Sequence, residues 1–163
     1  MTKPIPDGYH TITPYLIVKD AEKAVAFYAK AFGAAVKFAN PGPDGTGMTH
    51  AELLIRNSII MVGQECPQHG QKSVESLGAS PVNMYLYVEN VDEAMQTAIQ
   101  AGGTLVMAVE EMFWGDRMGS VKDPFGYCWS IATHTKDLTP EEVHAGAQAM
   151  YNQEQACHTN GTV

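Results

Sequence analysis

The chain is short of positive charge, of cysteine and of long apolar runs. Ten Lys and Arg stand against 18 Asp and Glu, a formal net charge of −8 over 163 residues. That balance excludes a nucleic-acid partner, whose phosphates would be repelled rather than neutralised. Cys66, Cys128 and Cys157 are odd in number and have no CxxC spacing, which excludes a disulfide framework and a zinc knuckle. No stretch approaches the roughly 20 apolar residues that a membrane helix needs, so no membrane partner is expected. Residues 1–8 are polar, carry two prolines and lack the apolar run of a signal peptide. A cytoplasmic, reducing location is therefore expected. A Gly-rich phosphate loop, a GxSxG elbow and a nucleotide fingerprint are also missing.

What is there is a repeat. Tyr15-Leu16-Ile17-Val18-Lys19-Asp20, followed by Ala24 and Gly33, returns 70 residues later as Tyr85-Leu86-Tyr87-Val88-Glu89-Asn90, followed by Ala94 and Gly103. Each copy is a short apolar strand, a residue able to cap a helix, and about a dozen residues of helical periodicity closed by Gly. Two copies point to a duplicated module rather than a solenoid, which needs more repeats to bury its core.

Turn signals divide the rest. Residues 1–9 form an N-terminal extension and 10–63 a first βαβββ module, with a strand over 10–18, its Pro14 placed where a missing N–H is tolerated. Asp20 caps a helix whose Ala24, Tyr28, Ala31 and Phe32 form a buried stripe. Strands follow over 36–40, 49–55 and 59–62. Residues 64–81, rich in Gly, Ser, Gln and Pro, read as a linker, either a plain connector or a lid over a pocket. A second βαβββ module spans 82–135, with strands over 82–88, 104–110, 116–122 and 127–133 and a helix over 91–101. Thr139-Pro140-Glu141-Glu142 is a capping box that starts a C-terminal helix within 136–153, ahead of a tail over 154–163. The expected fold is α+β, with two tandem βαβββ modules forming a curved mixed eight-stranded sheet around a central groove.

The run Glu111-Met112-Phe113-Trp114-Gly115-Asp116-Arg117, the turn Asp123-Pro124-Phe125-Gly126-Tyr127 and the segment His50-Ala51-Glu52-Leu53 carry a resemblance. With the module order, over roughly residues 10–135, the chain resembles the vicinal oxygen chelate superfamily (glyoxalase I, bleomycin-resistance proteins, fosfomycin-resistance enzymes, extradiol dioxygenases), and most of all its PhnB-like branch. In metal-dependent members the ligands come from equivalent positions on the first and last strands of each module. By the repeat register those positions are Thr13 and Asn83 on the first strands, and Ser130 with a partner near Met61 on the last. None is an imidazole or carboxylate, and a divalent cation needs several such ligands. The family's usual metal site is therefore expected to be absent, and no cofactor is expected.

Strand alternation sorts the remaining candidates. Leu16, Val18, Leu86 and Val88 should face the helices, whereas Thr13, Tyr15, Ile17, Asn83, Tyr85 and Tyr87 should face the other way and suit a ligand groove. His50 and Glu52 lie side by side on one strand face, where a carboxylate can orient an imidazole as a general base. They serve equally as an atypical half metal site or a self-satisfied polar pair. Trp114 can wall the groove, and Arg117, held by Asp116, can clamp a carboxylate or phosphate; a purely structural Arg–Asp pair is the alternative. Phe113 and Trp129 are assigned to packing. His10, His69, His134, His144 and His158 have no partner at ligand spacing. The leading expectation is a metal-independent homodimer that binds a small molecule. A superfamily lyase, isomerase or transferase using His50 and Glu52 is the alternative, and a structural scaffold the third.

Overall fold

The computed structural model describes residues 2–159, with side chains described through residue 153. The first module runs β1 (Tyr15–Val18), α1 (Ala21–Phe32), β2 (Ala35–Pro41), β3 (Met48–Ile55) and β4 (Ser58–Gln64). The second repeats that order as β5 (Asn83–Tyr87), α3 (Val91–Gln100), β6 (Thr104–Glu111), β7 (Asp116–Lys122) and β8 (Cys128–His134). The strands divide into two four-stranded sheets, ordered β1-β4-β3-β2 and β5-β8-β7-β6. In each, the first strand runs parallel to the last and the other pairs are antiparallel. The architecture is the expected α+β pair of βαβββ modules, with the eight strands shared between two separate sheets.

Both module helices start as their sequences dictate. The Asp20 and Asn90 side chains accept from the N–H groups of Lys23 and Glu93, satisfying donors that a helix leaves unpaired. Gly33 closes α1 in the left-handed region at φ 66°, a conformation that costs glycine little. The apolar stripes of α1 and α3 pack on one face of their own sheets and against each other. One core joins Leu16, Val18, Tyr28 and Leu53 to Val91, Met95, Trp129 and Ile131. The opposite face of each sheet, the open face, is packed by neither α1 nor α3.

Two sequence expectations change. The first strand begins at Tyr15, not at residue 10, because Pro14 has no N–H to extend the ladder; only its carbonyl joins, accepting from Met61 N–H at 2.8 Å. Thr13 consequently sits outside the strand, its hydroxyl donating to the His10 carbonyl at 3.2 Å. The segment 64–81, read as a linker, carries local structure of its own. A 3₁₀ turn (Pro67–His69) is closed by a Cys66–Gln71 bridge, and a short helix α2 (Val74–Leu77), capped by Ser73, buries Val74 in the shared core.

The C-terminal helix α4 runs Pro140–Thr159, started by the Thr139–Glu142 capping box and exposed along most of its length. Residues 160–163 of the expected tail lie outside the described residues, as do the side chains of Cys157 and His158.

Candidate functional site on the open sheet faces

The ladders make the two modules directly comparable. Tyr15 pairs with Met61 across β1–β4, and Tyr85 with Ser130 across β5–β8. Glu52 then lies opposite Met61 and Ser120 opposite Ser130, so Glu52 matches Ser120, His50 matches Met118 and Met48 matches Asp116. Alternation along β7 puts Asp116, Met118 and Ser120 on the open face with Tyr85 and Tyr87, and turns Arg117 to the helix side.

Asp116 is the centre of the second module's open face. It is only 2% exposed, yet its Oδ2 accepts from Tyr85 Oη, Tyr87 Oη and Trp114 Nε1, each at 3.0 Å. Its Oδ1 meets His134 Nδ1 at 2.8 Å, and His134 Nε2 meets Asp137 Oδ1 at 3.0 Å. Burial by itself would push the Asp116 carboxyl up. The hydrogen bonds from His134, Tyr87, Tyr85 and Trp114 outweigh it and hold the group below the ordinary carboxylate range. The hydrogen bonds to Asp116 and Asp137 raise His134 above its ordinary value. Burial and the bond to Asp116 push the Tyr85 phenol up to about 12. The hydroxyls point inward to the carboxylate while the rings stay 45% (Tyr85) and 56% (Tyr87) exposed, with centroids 5.1 Å apart. A buried anion thus fixes two aromatic walls.

The first module's open face is more loosely tied. His50 Nδ1 lies 3.2 Å from Tyr15 Oη, while its Nε2 is 3.8 Å from Glu52 Oε1, beyond hydrogen-bond reach. Glu52 instead accepts from Tyr9 of the N-terminal arm, and that bond, with burial, pushes the Tyr9 phenol up to about 12. The arm and this face enclose a cavity of about 370 Å³ bordered by Tyr9, Thr13, Glu52 and Met61.

The expected Asp116–Arg117 pair does not form, because neighbouring strand residues point to opposite faces. Arg117 is held bidentately by Asp92 of α3, Nε to Oδ2 at 3.0 Å and Nη2 to Oδ1 at 2.8 Å, with Glu111 at 3.7 Å. It is therefore a brace between β7 and α3, turned away from the open face. Asn83 and Ser130 do meet, the amide donating at 3.0 Å, and Ser120 Oγ lies 3.2 Å from Ser130 Oγ. Phe113 stacks edge-on against Trp114, and Trp129 is buried against Tyr28 and Phe32.

Sequence reasoning missed two groups. Tyr9 had no local signal, being 43 residues from Glu52. His134 did have one: the Asp123-Pro124-Phe125-Gly126-Tyr127 turn sets a β7–β8 register that places it opposite Asp116.

Fold and site together define a glyoxalase-like α+β protein made of two βαβββ modules. The chain belongs to the Glyoxalase/Bleomycin resistance protein/Dioxygenase superfamily, whose family model matches residues 8–131. An uncharacterised protein of Mycobacterium tuberculosis is 42% identical over 137 residues, covering 82% of this chain and 80% of that protein. A gene product of Arabidopsis thaliana is similar in structure, at a TM-score of 0.62 and 27% identity over 76% of this chain and 98% of that one. TioX from Micromonospora sp. ML1 shares the fold at a TM-score of 0.60 and 24% identity, over 77% and 98% of the two chains.

Metal-dependent members of the superfamily raise the question of a cation. At the matching positions stand Thr13, Met61, Asn83 and Ser130. Thr13 is spent on a backbone carbonyl, and Asn83 and Ser130 on each other. Among the described residues, no group of three His, Cys, Asp or Glu side chains is arranged to hold a metal ion. That donor set does not fit a divalent cation. Among the described residues, no helix is long and apolar enough to cross a membrane.

Proposed function

We propose that the protein binds a small organic molecule on its open sheet faces without a metal, as a cytoplasmic member of the PhnB-like branch. The observation that carries this reading is the Asp116 network. Four hydrogen bonds to one buried carboxylate hold Tyr85, Tyr87 and Trp114 in place before any ligand arrives, so little ordering remains to be done on binding. Apolar burial against these rings supplies affinity, and the exposed Asn83 amide, which keeps a second N–H and its carbonyl free of Ser130, supplies orientation. Each face is an open wall in one chain, and the outer strands β2 and β6 leave Val36, Phe38, Leu105 and Val106 exposed. A second copy would bring two such walls together, so the binding unit is a homodimer with grooves between modules.

The test is binding together with metal content. Elemental mass spectrometry of the purified protein, before and after incubation with zinc, nickel, manganese and iron, should find no stoichiometric metal. Ligands found by thermal-shift screening should lose affinity in Tyr85→Ala, while the variant keeps its fold by circular dichroism. Unchanged affinity in that variant would remove the second open face from the site.

An enzymatic reading is favoured by one arrangement, the His50 imidazole set between Tyr15 and Glu52 on the first open face. It assigns acid–base chemistry to His50 and Glu52. His50→Ala should then abolish turnover of a candidate substrate, and full activity in that variant would refute the assignment.

A further inference from the structure

The two modules meet at two matching seams, and only one of them is sealed. Where the second module reaches the open edge of β1, the Tyr127 hydroxyl accepts from the Ile17 N–H at 2.9 Å and donates to the Ile17 carbonyl at 3.1 Å. The backbone of that edge is satisfied by one side chain. The matching place on the first module faces the open edge of β5. There Tyr87 takes the part of Ile17. Its neighbour Val88 donates to Ala132 within the sheet, so Tyr87's own N–H and carbonyl turn outward, without a partner among the described residues. By the register that matches Met61 with Ser130, the counterpart of Tyr127 is Ser58. Its short side chain turns away to donate to Asn57 Oδ1 at 3.1 Å. Where a phenol fills the first seam, the second holds a cavity of about 470 Å³.

The chemistry of that cavity is specific. Ile55, Ile60, Met84 and Trp129 give it apolar walls, and no Asp or Glu lines it, although the chain as a whole is strongly acidic. Arg56, in the β3–β4 turn, borders it. Among the described residues Arg56 makes no ion pair, even with Glu89 in the adjoining cleft. It is also the one described non-glycine residue with a positive φ, at 55°. The two-residue β3–β4 turn, with Ile55 paired to Ser58, requires such a conformation at this position, and it sets the direction in which the Arg56 side chain leaves the hairpin.

We propose that this seam is a binding site for a small apolar molecule bearing an anionic group, with the carboxylate or phosphate taken by Arg56 and the outward Tyr87 N–H. The apolar body lies along Ile55, Ile60 and Met84. The site's polar contacts are Arg56 and the backbone edge of β5 rather than the Asp116 network, although Tyr85 and Tyr87 also border the cavity; it stands independently of the function proposed above.

Isothermal titration with four eight-carbon probes tests it: octanoate, octyl phosphate, octanol and octylamine. One or both anions should bind at least about tenfold tighter than octanol and octylamine, as a charge-assisted guanidinium bond implies. The tighter of the two identifies the head group. Arg56→Gly keeps the turn, relieves its φ and should raise the thermal midpoint, while octanoate and octyl phosphate fall to the affinity of octanol. Ser58→Tyr, which supplies the missing phenol, should abolish binding of all four. The proposal is overturned if neither anion binds, if octanol or octylamine matches them, or if Arg56→Gly leaves their affinities unchanged.

Discussion

The two modules share a fold, a register and a pair of matched tyrosines, yet they use different means to order their open faces. In the second, the polar groups converge on one buried carboxylate, and Asp116 takes four donors from three separate segments. In the first, the matching position is Met48, and the polar groups form two separate pairs instead: Tyr9 with Glu52, and His50 with Tyr15. A hub fails all at once when its centre is removed, whereas separate pairs are lost one at a time. The comparison teaches that duplication preserved the packing between helices and sheets while the open faces diverged, since on those faces side chains are free of the core.

Removing the hub should have the largest effect. Asp116→Ala leaves three phenol or indole donors and an imidazole without their acceptor, and should cost about 3 kcal/mol of stability by urea denaturation. The nearest change in the first module, Tyr9→Phe, deletes a single hydrogen bond to a carboxylate that water still reaches, and should cost about 1 kcal/mol. Equal losses in the two variants would contradict the contrast between a hub and separate pairs. A smaller effect is expected from Gly63→Ala. A Cβ there would overlap the Tyr15 hydroxyl and ring, but Tyr15 is half exposed and can swing outward at a cost of under about 1 kcal/mol. The consequence should appear in NMR as a changed His50 ring signal with unchanged His134 signals. A shift confined to His134 would show that the two faces are coupled.

Much of this organisation is legible in the chain. The repeat of Tyr15-Leu16-Ile17-Val18 as Tyr85-Leu86-Tyr87-Val88 gives both modules, and its alternation separates Leu16 and Val18 from Tyr15 correctly because strand periodicity is a local property. Asp20 and Asn90 likewise announce their helices through bonds that reach only three residues. The pairings that make the site are of another kind. Tyr9 with Glu52 spans 43 residues, Tyr85 with Asp116 spans 31, and Tyr127 with Ile17 spans 110. No local pattern encodes such distances. Arg117 is the instructive case between the two. Its separation from Asp116 follows from strand alternation alone, but its partner Asp92 is supplied by a helix that packs across the sheet.

The smallest expected effect, and the one that probes the hub most directly, is on pH dependence. His134 is raised in the folded state above its unfolded value of about 6.5, so the stability it contributes is fully present below that pH and is lost as pH rises through the folded value. Asp116 is lowered, so its contribution is present above about 3.8 and is lost as pH falls through the folded value. The hub is therefore strongest between these limits, with an imidazolium bridging two carboxylates, and weakens on both sides. The urea midpoint of the native protein should fall between pH 6 and pH 9. In His134→Ala that decline should be shallower, because the titrating partner is gone and only the tyrosine and indole donors remain on Asp116. A decline of undiminished size in the variant would mean that the alkaline sensitivity originates elsewhere. The hub would then be held by its neutral donors alone.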